Sequence, residues 1–166
     1  MGIFKPVMPI EPKLKIKSML KKFINKILGK STDTMSFMES MNLVDLPVVT
    51  FFQENNRFNF LLDTGSTSCV INKSVLSKLD YKVKSRGSST LMGMDGIKHD
   101  VDTCEISLFY KEKEYTFDYL IQDMSAPFDN IKQTSGVVVH GILGSKFFNK
   151  FKYVLDFKEL IAYSKQ

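Results

Sequence analysis

The chain has 166 residues, 43% hydrophobic and 25% charged, with 14 Phe and no Trp; this is core material for one domain, and a net charge of +5 is too small for a disordered chain. The charge is uneven: residues 1–30 hold eight lysines against the single acid Glu11, a net +7, so the other 136 residues stand at −2 and the basic character belongs to one segment. Two cysteines, Cys69 and Cys104, without Cys-x-x-Cys spacing, exclude a disulfide framework, and with only His99 and His140 beside them no metal site and no cofactor is expected.

Both thiols read as half-buried strand residues and both histidines as bystanders. No run of about 18 apolar residues exists. Pro6, Pro9, Pro12 and the lysines deny the first thirty residues the apolar core of an export signal, and Pro6 stands where a myristoylation signal after Met1-Gly2 wants Ser or Thr. The expectation is a cytoplasmic protein, with peripheral membrane contact as an option.

In chain order, Leu14, Ile16, Met19, Leu20, Phe23, Ile24, Ile27 and Leu28 recur at helical steps with lysines between them. They predict a basic amphipathic helix over 14–28 that can pack on its own domain, lie on an anionic membrane or bind a partner. Residues 1–44 are taken as this helical leader and a linker, and 45–166 as the domain. Leu46 to Gln53 and Arg57 to Leu62 flank a short polar turn and predict a hairpin. Alternation over Cys104 to Tyr110 and Tyr115 to Ile121 predicts a second, with Lys111 to Glu114 as its turn. Short helices are expected at Lys73 to Leu79 and after Gly144, and strands at Val137 to Val139, Tyr153 to Phe157 and Leu160 to Tyr163. The polar stretch from Ser125 to Gly136 reads as a loop that reshapes a cleft or an edge. The fold class is mainly β with short helices.

The chemistry concentrates in Leu61-Leu62-Asp63-Thr64-Gly65-Ser66, a carboxylate at a tight turn between two apolar strands. Alone, Asp-x-Gly is an ordinary Asx turn. In this context the segment resembles the active-site motif of aspartic proteases. Two further segments are similar to the single-lobed, retropepsin-like members of that family. Ile142-Leu143-Gly144 before Ser145-Lys146-Phe147-Phe148 resembles the apolar-apolar-Gly stretch that opens their short C-terminal helix and packs beneath the active site. Leu91 to Ile97, with Gly93, Met94, Asp95 and Gly96 at its centre, is similar in place to their flap. The resemblance implies a closed, barrel-like β lobe. It casts Asp63 as catalytic acid or base, Thr64 as the lock between two loops, and Gly65 as the point of close backbone approach. Ser66 would hydrogen-bond the carboxylate, favour its ionised form and lower the pH optimum. Val70, Ile97 and Ile142 offer either subsite walls or plain core.

The reaction of this family requires two carboxyls sharing one proton, and the chain carries one such motif. A homodimer with one Asp63 from each copy meets that need. The resemblance therefore implies an aspartic endopeptidase acting on peptides or proteins as a homodimer. The competing reading is a catalytically silent peptide-binding or dimerisation module of the same fold. A nucleic-acid partner is not expected, because the lysines surround an apolar face and the body is slightly acidic.

Overall fold

The computed structural model describes residues 34–92 and 98–165. The leader helix expected over 14–28 and the flap residues Gly93, Met94, Asp95, Gly96 and Ile97 lie outside the described residues.

The expected first hairpin is present as β1 (Val48–Gln53) and β2 (Asn56–Leu62), antiparallel from Val48↔Leu61 to Gln53↔Asn56. β3 (Cys69–Asn72) runs into a 3-10 helix (Lys73–Lys78), which Asn72 caps through Ser74 N–H. β4 (Lys82–Met92) and β5 (Lys98–Tyr110) form a long hairpin, and β5 returns through Lys111-Glu112 into β6 (Lys113–Gln122). The short strand β7 (Gly141–Leu143) follows, and β8 (Tyr153–Asp156) pairs with β9 (Ile161–Ser164) in a separate two-stranded sheet.

The order of the large sheet is β1-β2-β7-β3-β6-β5-β4, and a pairing of Phe52 with Phe109 joins β1 back to β5. Six strands thus close a barrel and β4 continues outward from β5. β7 lies parallel to β2 and antiparallel to β3, so it is wedged between the two strands that flank the Asp63 loop. Its tight seating needs a glycine at the entry: a Cβ on Gly141 would meet the Val70 carbonyl at 2.5 Å and the Phe60 ring at 2.6 Å.

Successive side chains on β1 point to opposite faces, yet Val48, Val49, Thr50 and Phe51 are all buried. The inner face joins a core with Phe58, Phe60, Tyr119, Leu143 and Phe147. The outer face joins a second cluster with Met35, Leu43, Phe128, Val137 and Val139. Helix α1 (Phe37–Val44) contributes to both clusters. It is opened by a Ser36–Glu39 capping box and closed by Asp45 in the left-handed region. Met35 N–H donates to the Thr50 hydroxyl, which donates to buried Asn59. Residues 34–44, read from sequence as the end of a linker, are therefore bonded into the barrel.

Two local expectations are corrected. Ser125 to Gly136 is not a loop but helix α2 (Ser125–Ser135), with Pro127 in the first turn, where its missing N–H costs nothing, and Gly136 as a left-handed stop at φ 78°. Val137 to Val139 is not a ladder strand: Val137 and Val139 fill the second cluster, and the strand begins at Gly141. Helix α3 (Ser145–Phe151) stands where a helix after Gly144 was expected.

Candidate active site

Asp63 is the first residue beyond β2, and three segments hold its loop through main-chain bonds. Asp63 N–H donates to the Leu143 carbonyl at 3.0 Å, linking the loop to the end of β7. Within the turn, Gly65 N–H donates to Asp63 Oδ1 at 2.9 Å, and Ser66 N–H to the Asp63 carbonyl at 3.2 Å. The first amides of α3, which a helix cannot satisfy internally, donate outward: Ser145 N–H to the Ser66 carbonyl at 2.8 Å and Lys146 N–H to that of Thr67 at 3.2 Å. That is why α3 has no side-chain cap.

Gly144 is where this arrangement closes most tightly. A Cβ there would lie 2.5 Å from the Ser68 carbonyl oxygen and 2.7 Å from that of Ser66, so only glycine lets the strand-to-helix corner sit under the loop. Its N–H donates to Cys69 Sγ at 3.4 Å. Burial pushes the Cys69 thiol up to about 12, an effect that hydrogen bonds from the Gly144 and Phe147 amides only partly oppose. Cys69 and Cys104 are fully buried rather than half-buried.

The structure thus brings Asp63, Thr64, Gly65 and Ser66 together with Leu143 and Gly144. Leu143 is fully buried directly beneath the loop, while Ile142 is half-buried against the second cluster and pairs with Leu61 and Val70. Val70 is buried in β3 and belongs to the interior. One expected contact differs: Ser66 Oγ donates to the Ser68 carbonyl at 2.8 Å, not to the Asp63 carboxylate, so the hydroxyl braces the loop.

Asp63 is half-buried, and Thr64 and Gly65 are exposed. The flap-like hairpin rises from the same barrel. Its strands pair up to Met92↔Lys98, so residues 93–97 join its two arms. At its root Lys84 reaches Glu105 at 3.0 Å and Asp118 at 3.6 Å, joining three strands and holding the Glu105 carboxyl below its ordinary range. His140 lies away from the Asp63 loop, where its Nδ1 accepts from Asn59 N–H at 2.8 Å. Among the described residues no three His, Cys, Asp or Glu side chains converge as metal ligands.

A family model described as aspartyl protease matches residues 49–147, and the chain belongs to that family. Among solved structures it is similar to EIAV protease in complex with an inhibitor, at 18% identity and TM-score 0.50, over 70% of this chain and 97% of that one. It is also similar to the retroviral protease-like domain of Ddi1 from Leishmania major, at 13% identity and TM-score 0.50, over 73% and 89%. No curated protein matches the chain. The fold is that of the retropepsin-like aspartic proteases.

Proposed function

We propose that the protein is an aspartic endopeptidase that works as a homodimer, each copy supplying one Asp63. The observation that carries this reading is a lone Asp-Thr-Gly loop whose backbone is tied on its inner side to Leu143, Ser145 and Lys146, with Thr64 and Gly65 left exposed. Such a loop can meet its copy across a two-fold axis, Thr64 bonding across it and Gly65 allowing close approach. Two carboxyls in contact cannot both ionise, so the pair shares one proton.

The ionised Asp63 then takes a proton from a water held between the two. The water oxygen bonds to the scissile carbonyl carbon while the protonated Asp63 gives its proton to the carbonyl oxygen. The Asp63 that took the water proton then gives it to the amide nitrogen while a hydroxyl proton of the gem-diol passes to the other Asp63, so the C–N bond breaks to a carboxylic acid and an amine and the pair is left with one proton. The β4–β5 hairpin is suited to cover an extended peptide, with Gly93, Met94, Asp95 and Gly96 as the tip. The basic, apolar-faced segment 14–28 suits an anionic membrane surface, which flotation of the full chain with anionic vesicles at low salt tests.

The decisive experiment is cleavage of a peptide library by the full chain. Asp63→Asn is expected to abolish cleavage with an unchanged thermal midpoint, since an amide oxygen can still accept from Gly65 N–H. An Asp63→Asn protein that cleaves as fast as the parent overturns the proposal. A monomer at working concentrations with no affinity for a pepstatin-like inhibitor would favour a silent module of the same fold.

A further inference from the structure

A second concavity lies at the end of β2 remote from Asp63, roughly 20 Å away along the strand. It is a cleft of about 440 Å³ whose lining includes Asn55, Asn56, Arg57, Asn59, Lys78 and His140. Three separate pieces of chain build it: the β1–β2 turn, the end of the 3-10 helix, and the segment leading into β7. Hydrogen bonds fasten them together. Asn56 Nδ2 donates to the Lys78 carbonyl at 3.2 Å, Asn59 Nδ2 to that of Val138 at 2.8 Å, and His140 N–H to that of Asn59 at 2.8 Å.

The chemistry of the lining is one-sided. Arg57 and Lys78 bring two positive charges, and no carboxylate is among the lining residues. His140 Nδ1 accepts from Asn59 N–H at 2.8 Å, so the ring is fixed in the wall of the cleft. The exposed Asn55 and Asn56 at the β1–β2 turn add polar amide groups to the rim. The volume falls within the range of small-molecule pockets, about 300–1,000 Å³, which leaves room for more than a bare inorganic anion.

We propose that this cleft binds a phosphomonoester dianion, with its organic part against the asparagines. Two cations match a group that carries about −1.5 to −2 at neutral pH. The planar Arg57 fork suits paired phosphate oxygens, and Lys78 adds a point charge. The cleft is also joined to the Asp63 loop by two adjacent strands, since β2 ends at Leu62, next to Asp63, and β7, which starts after His140, ends at Leu143.

Calorimetric titration of the full chain with phenyl phosphate tests this. Saturable binding is expected, weakened at least about tenfold in Arg57→Gln and in Lys78→Gln, and more in the double variant. Both side chains are exposed, so the variants should keep the parent's thermal midpoint. Displacement of phenyl phosphate by a phosphoserine peptide would support a phosphorylated protein as the source; binding of phenyl phosphate without displacement would support a free metabolite-sized ester. Absence of saturation, or equal affinity in the double variant, overturns the proposal. Asp63→Asn should bind phenyl phosphate like the parent, so this outcome is separate from that of the peptidase test.

Discussion

The Asp63 loop and the β4–β5 hairpin leave the same barrel and are held in opposite ways. The loop is exposed at its crest, but beneath it main-chain donors from Asp63, Ser145 and Lys146 reach acceptors in the facing segment. Few of those bonds depend on which side chain is present, provided residue 144 has none. Among the described residues the hairpin arm β4 pairs with β5 alone, its register slips between Val83 and Ser85 and again between Ser85 and Ser89, and Gly87 sits at φ 59°. Val83 is 47% exposed. The proposed function asks for this contrast, because a catalytic carboxylate must stay within tenths of an ångström of its geometry, whereas a cover over a peptide must yield to admit one.

The largest effect should come from removing the support under the loop. Phe147 is fully buried and its ring meets those of Phe51, Tyr115, Phe117, Phe148, Phe151 and Tyr153. Phe147→Ala is expected to cost about 3–5 kcal/mol in urea unfolding. Gly144→Ala should cost about 2–3 kcal/mol, because backbone carbonyls on the other side cannot rotate away, and it should lower peptide cleavage more than a comparable loss elsewhere. A stability loss with full cleavage would mean that the loop tolerates displacement.

The buried thiols add a pH test that spans both regions, with Cys69 behind the loop and Cys104 at the root of the arm. Burial raises both to about 12 from an ordinary 9. The unfolded chain therefore releases thiol protons that the native chain retains. Stability should be unaffected below pH 9 and fall toward pH 12, by about 1 kcal/mol per pH unit for each thiol. Urea midpoints at pH 8 and 10 measure the slope, and Cys69→Ala should reduce it.

Gly87→Ala should cost about 1–2 kcal/mol, from the left-handed backbone alone, because a Cβ there meets nothing within 4 Å. Smallest of all, Lys84→Ala should leave the global midpoint unchanged and only speed hydrogen exchange in β4, since its ion pairs are solvent-exposed. A large global loss there would show that the arm is as firmly held as the Asp63 loop.

Legibility in the sequence followed burial on one face. β1, β2, β5 and β6 announce themselves by alternation or by apolar runs. β4 does not, because Lys82, Val83, Lys84 and Arg86 are all exposed and its register slips break the alternation. Helix α2 buries only Phe128, and Pro127 reads as a breaker until its place in the first turn is known. Helix α1 did carry a local signal, Ser36 three residues before Glu39, masked by its position next to a charged leader. The Asp63 motif was visible as a string of residues. The partner of the Ser66 hydroxyl was not, because Ser68 and Asp63 are both within its local reach.

Residue order alone settles the uneven charge, the single Asp-Thr-Gly-Ser copy and the alternation of the main strands, since each is a matter of near neighbours. Tertiary structure decides that β7 slots between β2 and β3, that Gly144 must be bare under the Asp63 loop, and that Arg57, Lys78 and His140 share one cleft. Those features join residues some twenty to eighty positions apart. Hydrogen bonds and excluded volume across such separations leave no periodic trace along the chain, and only the closed barrel brings the partners together.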